Sequence, residues 1–235
     1  VDMLARMDMA AWKIASGEIS NLPLLKKIID IGKPILLSTG MSAYLEIDSA
    51  VELVKSNKCP VAVMQCTSSY PTPPEKLGLN LISEYRDRYN CPVGLSDHSA
   101  TIFAGLAAAA FETDILELHV TLSKEMFGPD VIASVTTTEL QELVKGIRFI
   151  ESARSNPINK DNIAPEFDDL KKIFTKSIFA ARDLSVGTCL QKSDIIIKKP
   201  GTGIAPNKLD VVLGRHLASK VKSGDMLKFD DLLPR

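Results

Sequence analysis

Two of the three histidines, His98 and His119, close consecutive apolar runs. His98 follows Ser96 and Asp97 after the run Val93–Leu95. His119 comes two residues after Glu117 at the end of the run Ile115–Leu118, so Glu117 and His119 project to the same side if the run is a strand. Neighbouring strands lie about 4.8 Å apart. Two imidazoles placed there can bind one divalent metal, with water completing the shell. A two-histidine site with oxygen co-ligands suits Mn, Fe, Co or Zn better than Ca. The competing reading is two unrelated core histidines. The third, His216, reads as a plain surface residue.

A second group of residues suits an anion. Lys13 and Ser16 lie on and just after the first apolar run, Ser38, Thr39 and Gly40 end the second, Thr67, Ser68 and Ser69 end the third, and Ser96 ends the fourth. An ammonium among hydroxyls and free backbone N–H groups holds a phosphate or carboxylate. One serine at a strand end is ordinary turn chemistry; four strand ends doing the same is a pattern. Tyr70-Pro71-Thr72-Pro73 is a stiff loop expected to lie over the site, and 126–130 is similar. Ser96-Asp97-His98 is no hydrolase triad, because neighbours in sequence do not converge through space as a triad must.

These residues need a frame that brings strand ends together. Between residue 11 and about 150 one pattern recurs: a short apolar run, small polar residues, then an amphipathic helix. The runs are Trp12–Ala15, Pro34–Leu37, Val61–Gln65, Val93–Leu95 and Ile115–Leu118, and the helices lie over Leu22–Ile31, Ile47–Lys55, Leu81–Tyr89, Ile102–Phe111 and Thr138–Ala153. Alternation of this kind predicts parallel βα units in an α/β fold, with strands buried on both faces. A doubly wound sheet and a closed (β/α)8 TIM-type barrel compete. The chain has no GxGxxG turn after its first strand, and polar residues end every strand, which favours the barrel. Five units are visible where a closed barrel has eight, so three are expected ahead of Val1. The barrel part spans 1–153, and 154–173 reads as a linker with one short helix. Short β-like runs at Ser177–Ala181, Ile195–Lys198 and Leu217–Val221, separated by turns, make 174–235 a small mostly-β domain.

Bulk properties narrow the partners. With 28 basic and 29 acidic residues the net charge is −1, so nothing points to nucleic acid or a membrane surface, and anions must be held by local groups. No uncharged apolar stretch reaches transmembrane length, and the N-terminal residues lack the pattern of a signal peptide. Four scattered cysteines without a CxxC pair read as free thiols of a reducing compartment, by default the cytoplasm.

The segments KIASGE (13–18), STGMS (38–42), CTSSYPTP (66–73), GLSDHS (94–99) and ELH (117–119) resemble the sialic acid (nonulosonic acid) synthase family. SIFAARDLSVG (177–187), KKPGTGIAP (198–206), LGR (213–215) and GDMLKFDDL near the C-terminus resemble that family's antifreeze-like SAF (β-clip-like) domain. The resemblance implies a metal-dependent transferase that condenses phosphoenolpyruvate with a 2-acetamido hexose such as N-acetylmannosamine, giving a nonulosonic acid and phosphate. It implies Mn2+ or Mg2+ at His98 and His119, with Glu117 beside them as the catalytic group. It also implies phosphoenolpyruvate on Lys13, Ser16, Ser38, Thr67, Ser68 and Ser96, and the sugar on Tyr70, Glu117 and Lys199. The family is expected to form a homodimer in which each SAF domain covers the partner's site.

Four positions depart from the family pattern: Leu118 and Val120 in EKHF, Val131 in GPDH, and Lys199 where an Arg reaches the sugar's N-acetyl group. Lys does not reproduce the planar fork of Arg. The sugar therefore stays open between N-acetylmannosamine and a legionaminic-type precursor. The resemblance also places a catalytic Glu and a second Lys ahead of Val1, so the 235 residues alone are expected to be inactive. Rival functions are another metal-dependent aldolase or hydrolase on the same barrel, and a non-catalytic sugar-binding relative.

Overall fold

The protein's structure, a computed structural model, describes residues 1–234. It divides into two compact units, Val1–Pro157 and from Ile158 onward. The C-terminal residue of the range 174–235, Arg235, lies outside the described residues.

The first unit opens with a single helical turn, α1 (Asp2–Ala5), and continues with β1 (Trp12–Ile14), α2 (Leu22–Ile29), β2 (Ile35–Ser38) and α3 (Tyr44–Ser56). Then come β3 (Val61–Cys66), α4 (Asn80–Tyr89), β4 (Val93–Asp97), α5 (Phe103–Ala110), β5 (Ile115–Thr121), β6 (Ser134–Thr136) and α6 (Thr137–Ser155). Local chemistry sets the helix ends. The Asn21 side chain accepts from Leu24 N at 3.3 Å to start α2, and Gly32, at φ +77°, ends the turn after it. Thr136 and Glu139 form a reciprocal capping box at the start of α6.

All five strand pairings are parallel and the order is β1-β2-β3-β4-β5-β6. A doubly wound sheet reverses its strand order at a switch point; this one does not. Right-handed crossovers between strands in unbroken order put every helix on one side. That side is the core: Ile14, Ile35, Leu37, Val63, Val93 and Leu95 pack against Leu25, Ile28, Ile47, Val54, Ile82 and Tyr85.

The register assigns the opposite face. Lys13 pairs with Leu36, Ser38 with Met64, Met64 with Gly94, Cys66 with Ser96 and Ser96 with Glu117. Alternation adds His119 to that face. The central strands β3 and β4 are buried on both faces, as expected, but the second face carries the polar residues at its strand ends. Flat, the sheet would hold β1 and β5 about 19 Å apart, four spacings of ~4.8 Å. Lys13 Nζ nevertheless lies 2.6 Å from Glu117 Oε1. Only a curled sheet closes that distance, so the unit is an α/β half-barrel.

Two expectations need correction. The fifth run is not followed directly by its helix: β6 intervenes, making six strands, because a three-residue Ser-Val-Thr strand carries no legible period. The segment 154–173 holds the end of α6, α7 (Lys160–Ile163), a 3-10 turn at Ala164–Phe167 and most of α8 (Asp168–Phe174), more helix than the one short helix expected.

In the second unit β7 (Ser177–Ala180) pairs antiparallel with β8 (Ile195–Lys198), and a short helix, α9 (Leu209–Val212), follows. The run Leu217–Val221 makes isolated bridges, Leu217 to Leu232 and Val221 to Leu184, rather than a strand. Ile178, Leu184, Leu190, Leu217 and Leu227 form this unit's own core. His216 is exposed, as expected, and all four cysteines are free thiols.

Candidate active site

The C-terminal ends of β1 to β5 carry the candidate residues. At one side Glu117 Oε1 accepts from Lys13 Nζ at 2.6 Å and from Ser96 Oγ at 2.9 Å. The carboxylate therefore joins β1, β4 and β5. Ser16 and Ser68 hydroxyls lie 3.4 Å apart, bringing the end of β1 beside the end of β3. Ser38 Oγ is buried and has no hydrogen-bond partner among the described residues. A buried orphan hydroxyl costs about 1–3 kcal/mol, so its presence at a strand end fits a polar ligand. Thr67 points elsewhere: its hydroxyl donates to the Lys76 carbonyl at 2.6 Å, and its carbonyl accepts from Ser69 N at 2.8 Å.

Gly40, at φ +23°, closes over this cradle. A Cβ there would meet Ser16 Oγ and Cβ and come within 2.7 Å of Ser68 Oγ. Gly40→Ala is therefore expected to force the two serines apart. It should weaken binding of a phosphorylated carboxylate at least ~10-fold, the loss of one charge-assisted hydrogen bond, and also lower the melting temperature, because φ +23° strains any side chain there. Isothermal titration with phosphoenolpyruvate checks this.

The other half of the site is a cluster of three rings. The His98 and His119 centroids are 5.1 Å apart at 72°, and Tyr70 lies 4.2 Å from His98 and 5.9 Å from His119. His98 is buried at 4% exposure, with Cys66 Sγ 4.0 Å from its Nδ1. Burial, then the adjacent His119, hold the His98 pKa below the ordinary histidine value. Burial pushes the Cys66 thiol and the Tyr70 phenol up.

The unfolded chain thus takes a proton at His98 before the folded one does. Stability from this group is complete above about pH 6.5 and declines as pH falls below it. Urea unfolding at pH 7.5 and 5.5 should show a smaller acid loss for His98→Asn than for the parent chain; equal losses would refute this.

The histidines supply a pair of nitrogen donors. Among the described residues no group of three or more His, Cys, Asp or Glu is arranged around a metal position. Two neutral imidazoles fit an open catalytic site whose remaining positions are filled by water or substrate, not a closed structural one. Asp130, which the sequence did not single out, lies behind the pair: its Oδ2 is 3.6 Å from His119 Nδ1. A carboxylate there orients the ring. Its signals were the stiff 126–130 loop and its place in the segment that resembles the family's GPDH. Lys199 belongs to the second unit, where its ammonium lies 4.8 Å over the Phe174 ring.

An α/β half-barrel thus gathers an ammonium–hydroxyl cradle and an imidazole pair at its strand ends. Residues 1–159 match the NeuB family and residues 175–233 the SAF domain. The chain belongs to the NeuB family and carries a C-terminal SAF domain.

Its curated relatives include synthases of sialic, legionaminic and pseudaminic acids. N,N'-diacetyllegionaminic acid synthase of Campylobacter jejuni is 33% identical, over 97% of this chain and 69% of that protein. Human N-acetylneuraminate-9-phosphate synthase is 32% identical, over 97% of this chain and 63% of that one. The chain thus spans about two thirds of their length. Among solved structures, N-acetylneuraminic acid (sialic acid) synthetase from Leptospira borgpetersenii superposes with a TM-score of 0.67 at 31% identity, covering 72% of this chain and 60% of that one. The spore coat polysaccharide biosynthesis protein spsE from Bacillus subtilis gives 0.63 at 26% identity, covering 100% and 70%. No helix is long and apolar enough to cross a membrane among the described residues.

Proposed function

We propose that this chain carries most of the active site of a synthase that condenses phosphoenolpyruvate with a 2-acetamido hexose to give a nonulosonic acid and phosphate. The observation that supports it most is the single polar face on which Lys13, Ser96 and Glu117 adjoin strands bearing His98 and His119. Lys13 and the Ser16, Ser38 and Ser68 hydroxyls bind the phosphate and carboxylate, with Ser96 and the Thr67 backbone bordering them. Tyr70 borders the sugar. Held by His98 and His119, a Mn2+ or Mg2+ ion would supply a Lewis acid for the sugar aldehyde.

Carbon 3 of the enol bonds to the aldehyde carbon, whose oxygen takes up a proton from the water that adds to carbon 2; the carbon 2–oxygen bond then breaks with its electrons leaving on phosphate, and the added hydroxyl gives up its proton to become the ketone. Glu117, which already accepts two hydrogen bonds, steadies Lys13 and Ser96 and faces the reacting groups. The curled sheet is taken to be part of a closed (β/α)8 barrel. Lys199 is assigned to the sugar's N-acetyl group in a partner subunit of a cytoplasmic homodimer.

The test is mass spectrometry of products from phosphoenolpyruvate, Mn2+ and a panel of 2-acetamido sugars. The protein should be used both as these 235 residues and with any sequence its gene encodes ahead of them. A product heavier than the sugar by one pyruvate supports the proposal. Failure of every sugar in the longer protein refutes it.

A further inference from the structure

Gln65 stands on the wrong side of the sheet for a site residue. It pairs with Leu95, and both face the helices with Leu37 and Val63. Positions on that side are otherwise filled by core apolar residues, yet the Gln65 amide is buried there at 3% exposure. Its bonds give the reason. Nε2 donates to the Leu77 carbonyl at 3.1 Å and reaches Thr67 Oγ1 at 3.5 Å. Oε1 accepts long contacts from Thr39 Oγ1 at 3.4 Å and Tyr85 OH at 3.5 Å. One side chain thereby meets the end of β2, the end of β3, α4 and the proline-rich segment 71–79.

That segment is also tied to the site. Thr67 Oγ1 donates to the Lys76 carbonyl at 2.6 Å, Thr72 N to the His98 carbonyl at 2.9 Å, and Thr72 Oγ1 to the Ser69 carbonyl at 2.7 Å. Gly78 leaves room for the amide: a Cβ there would lie 2.6 Å from Gln65 Nε2, and its φ is +65°.

We propose that Gln65 is a positioning residue, which pins the 71–79 segment to the strand ends and so holds Ser68 and Tyr70 at the substrates. Its effect on substrate affinity rests on the function proposed above; its effect on the segment does not. Gln65 itself touches no substrate. The Nε2–Leu77 bond is the one that carries the pinning, since Thr39 and Tyr85 keep each other as partners at 3.3 Å when Gln65 is lost.

Hydrogen–deuterium exchange and steady-state kinetics on three variants test this. Gln65→Met keeps the volume and removes both bonding functions, and Gln65→Leu removes them with a branched side chain. Gly78→Ala displaces the amide from the loop side, with its Cβ 2.6 Å from Gln65 Nε2, and adds backbone strain at φ +65° and a 3.3 Å contact with Leu81. In each, the amides of Thr72–Leu79 should exchange at least tenfold faster while those of α3 stay within threefold of the parent chain. The KM for phosphoenolpyruvate should rise about tenfold with kcat within threefold. Gln65→His, which retains an N–H donor, should recover much of both. Exchange that rises equally across β2, α3 and α4 would reduce Gln65 to an ordinary core residue and overturn the proposal. Unchanged exchange in the segment would overturn it too. If the parent protein turns over no phosphoenolpyruvate, the proposed function fails, and the exchange results alone decide the role of Gln65.

Discussion

Replacing His98 or His119 by alanine should lower condensation by about 10³-fold in kcat. A Lewis acid on a carbonyl is worth several kcal/mol of developing charge, and each 1.36 kcal/mol is a factor of ten. The imidazole centroids lie 5.1 Å apart, so either substitution breaks the same donor pair. The double variant should therefore be little worse than either single one, as for groups that act as a unit. Affinity for phosphoenolpyruvate should change by less than threefold, because Lys13, Ser16, Ser38 and Ser68, which bind it, stand at the ends of β1, β2 and β3. Asp130→Asn should do less, about tenfold, since it orients His119 from behind without replacing a donor. A His98→Ala protein within tenfold of the parent activity would remove the imidazole pair from the mechanism.

Lys13→Ala should raise the KM for phosphoenolpyruvate by about 10²-fold. A hydrogen bond to a charged group is worth about 1.5–3 kcal/mol. A second effect adds to the first. Lys13 is the cation beside Glu117, at 2.6 Å, and without it the carboxylate faces the incoming anion unpaired. Lys13→Ala/Glu117→Gln should therefore bind phosphoenolpyruvate more tightly than Lys13→Ala, although Glu117→Gln alone lowers kcat. That sign of coupling marks direct contact between the two residues. Arginine at position 13 restores charge but not the compact ammonium, so Lys13→Arg should recover only part of the affinity. Additive effects of the two substitutions would mean that the ion pair plays no part in substrate binding.

The separation of these two residue sets was legible in the sequence, but their connection was not. Strand ends rich in Ser, Thr and His show through because side-chain alternation and βα order need only local pattern. The Lys13–Glu117 bond depends on how far the sheet curls, a property of all its strands together. The face assignment was hidden for a similar reason. A run such as Val61–Met64 looks uniformly apolar, and only its register against Ser38 and Gly94 shows which residues turn toward the site. Three residues of β6 carry too little pattern to detect, and Asp130 is positioned by the turn that precedes them. Gln65 sits in a stretch that reads as core, and nothing local distinguishes its bond to Leu77, twelve residues on.

The most direct test of the shared site is the 31P resonance of phosphoenolpyruvate bound in the presence of Mn2+. With the anion cradle beside the imidazole pair, one equivalent of Mn2+ should broaden that resonance strongly in the parent protein and leave it sharp in His98→Ala/His119→Ala. A phosphorus signal that stays narrow in the parent protein, with both Mn2+ and phosphoenolpyruvate shown to be bound, would place the two at separate sites.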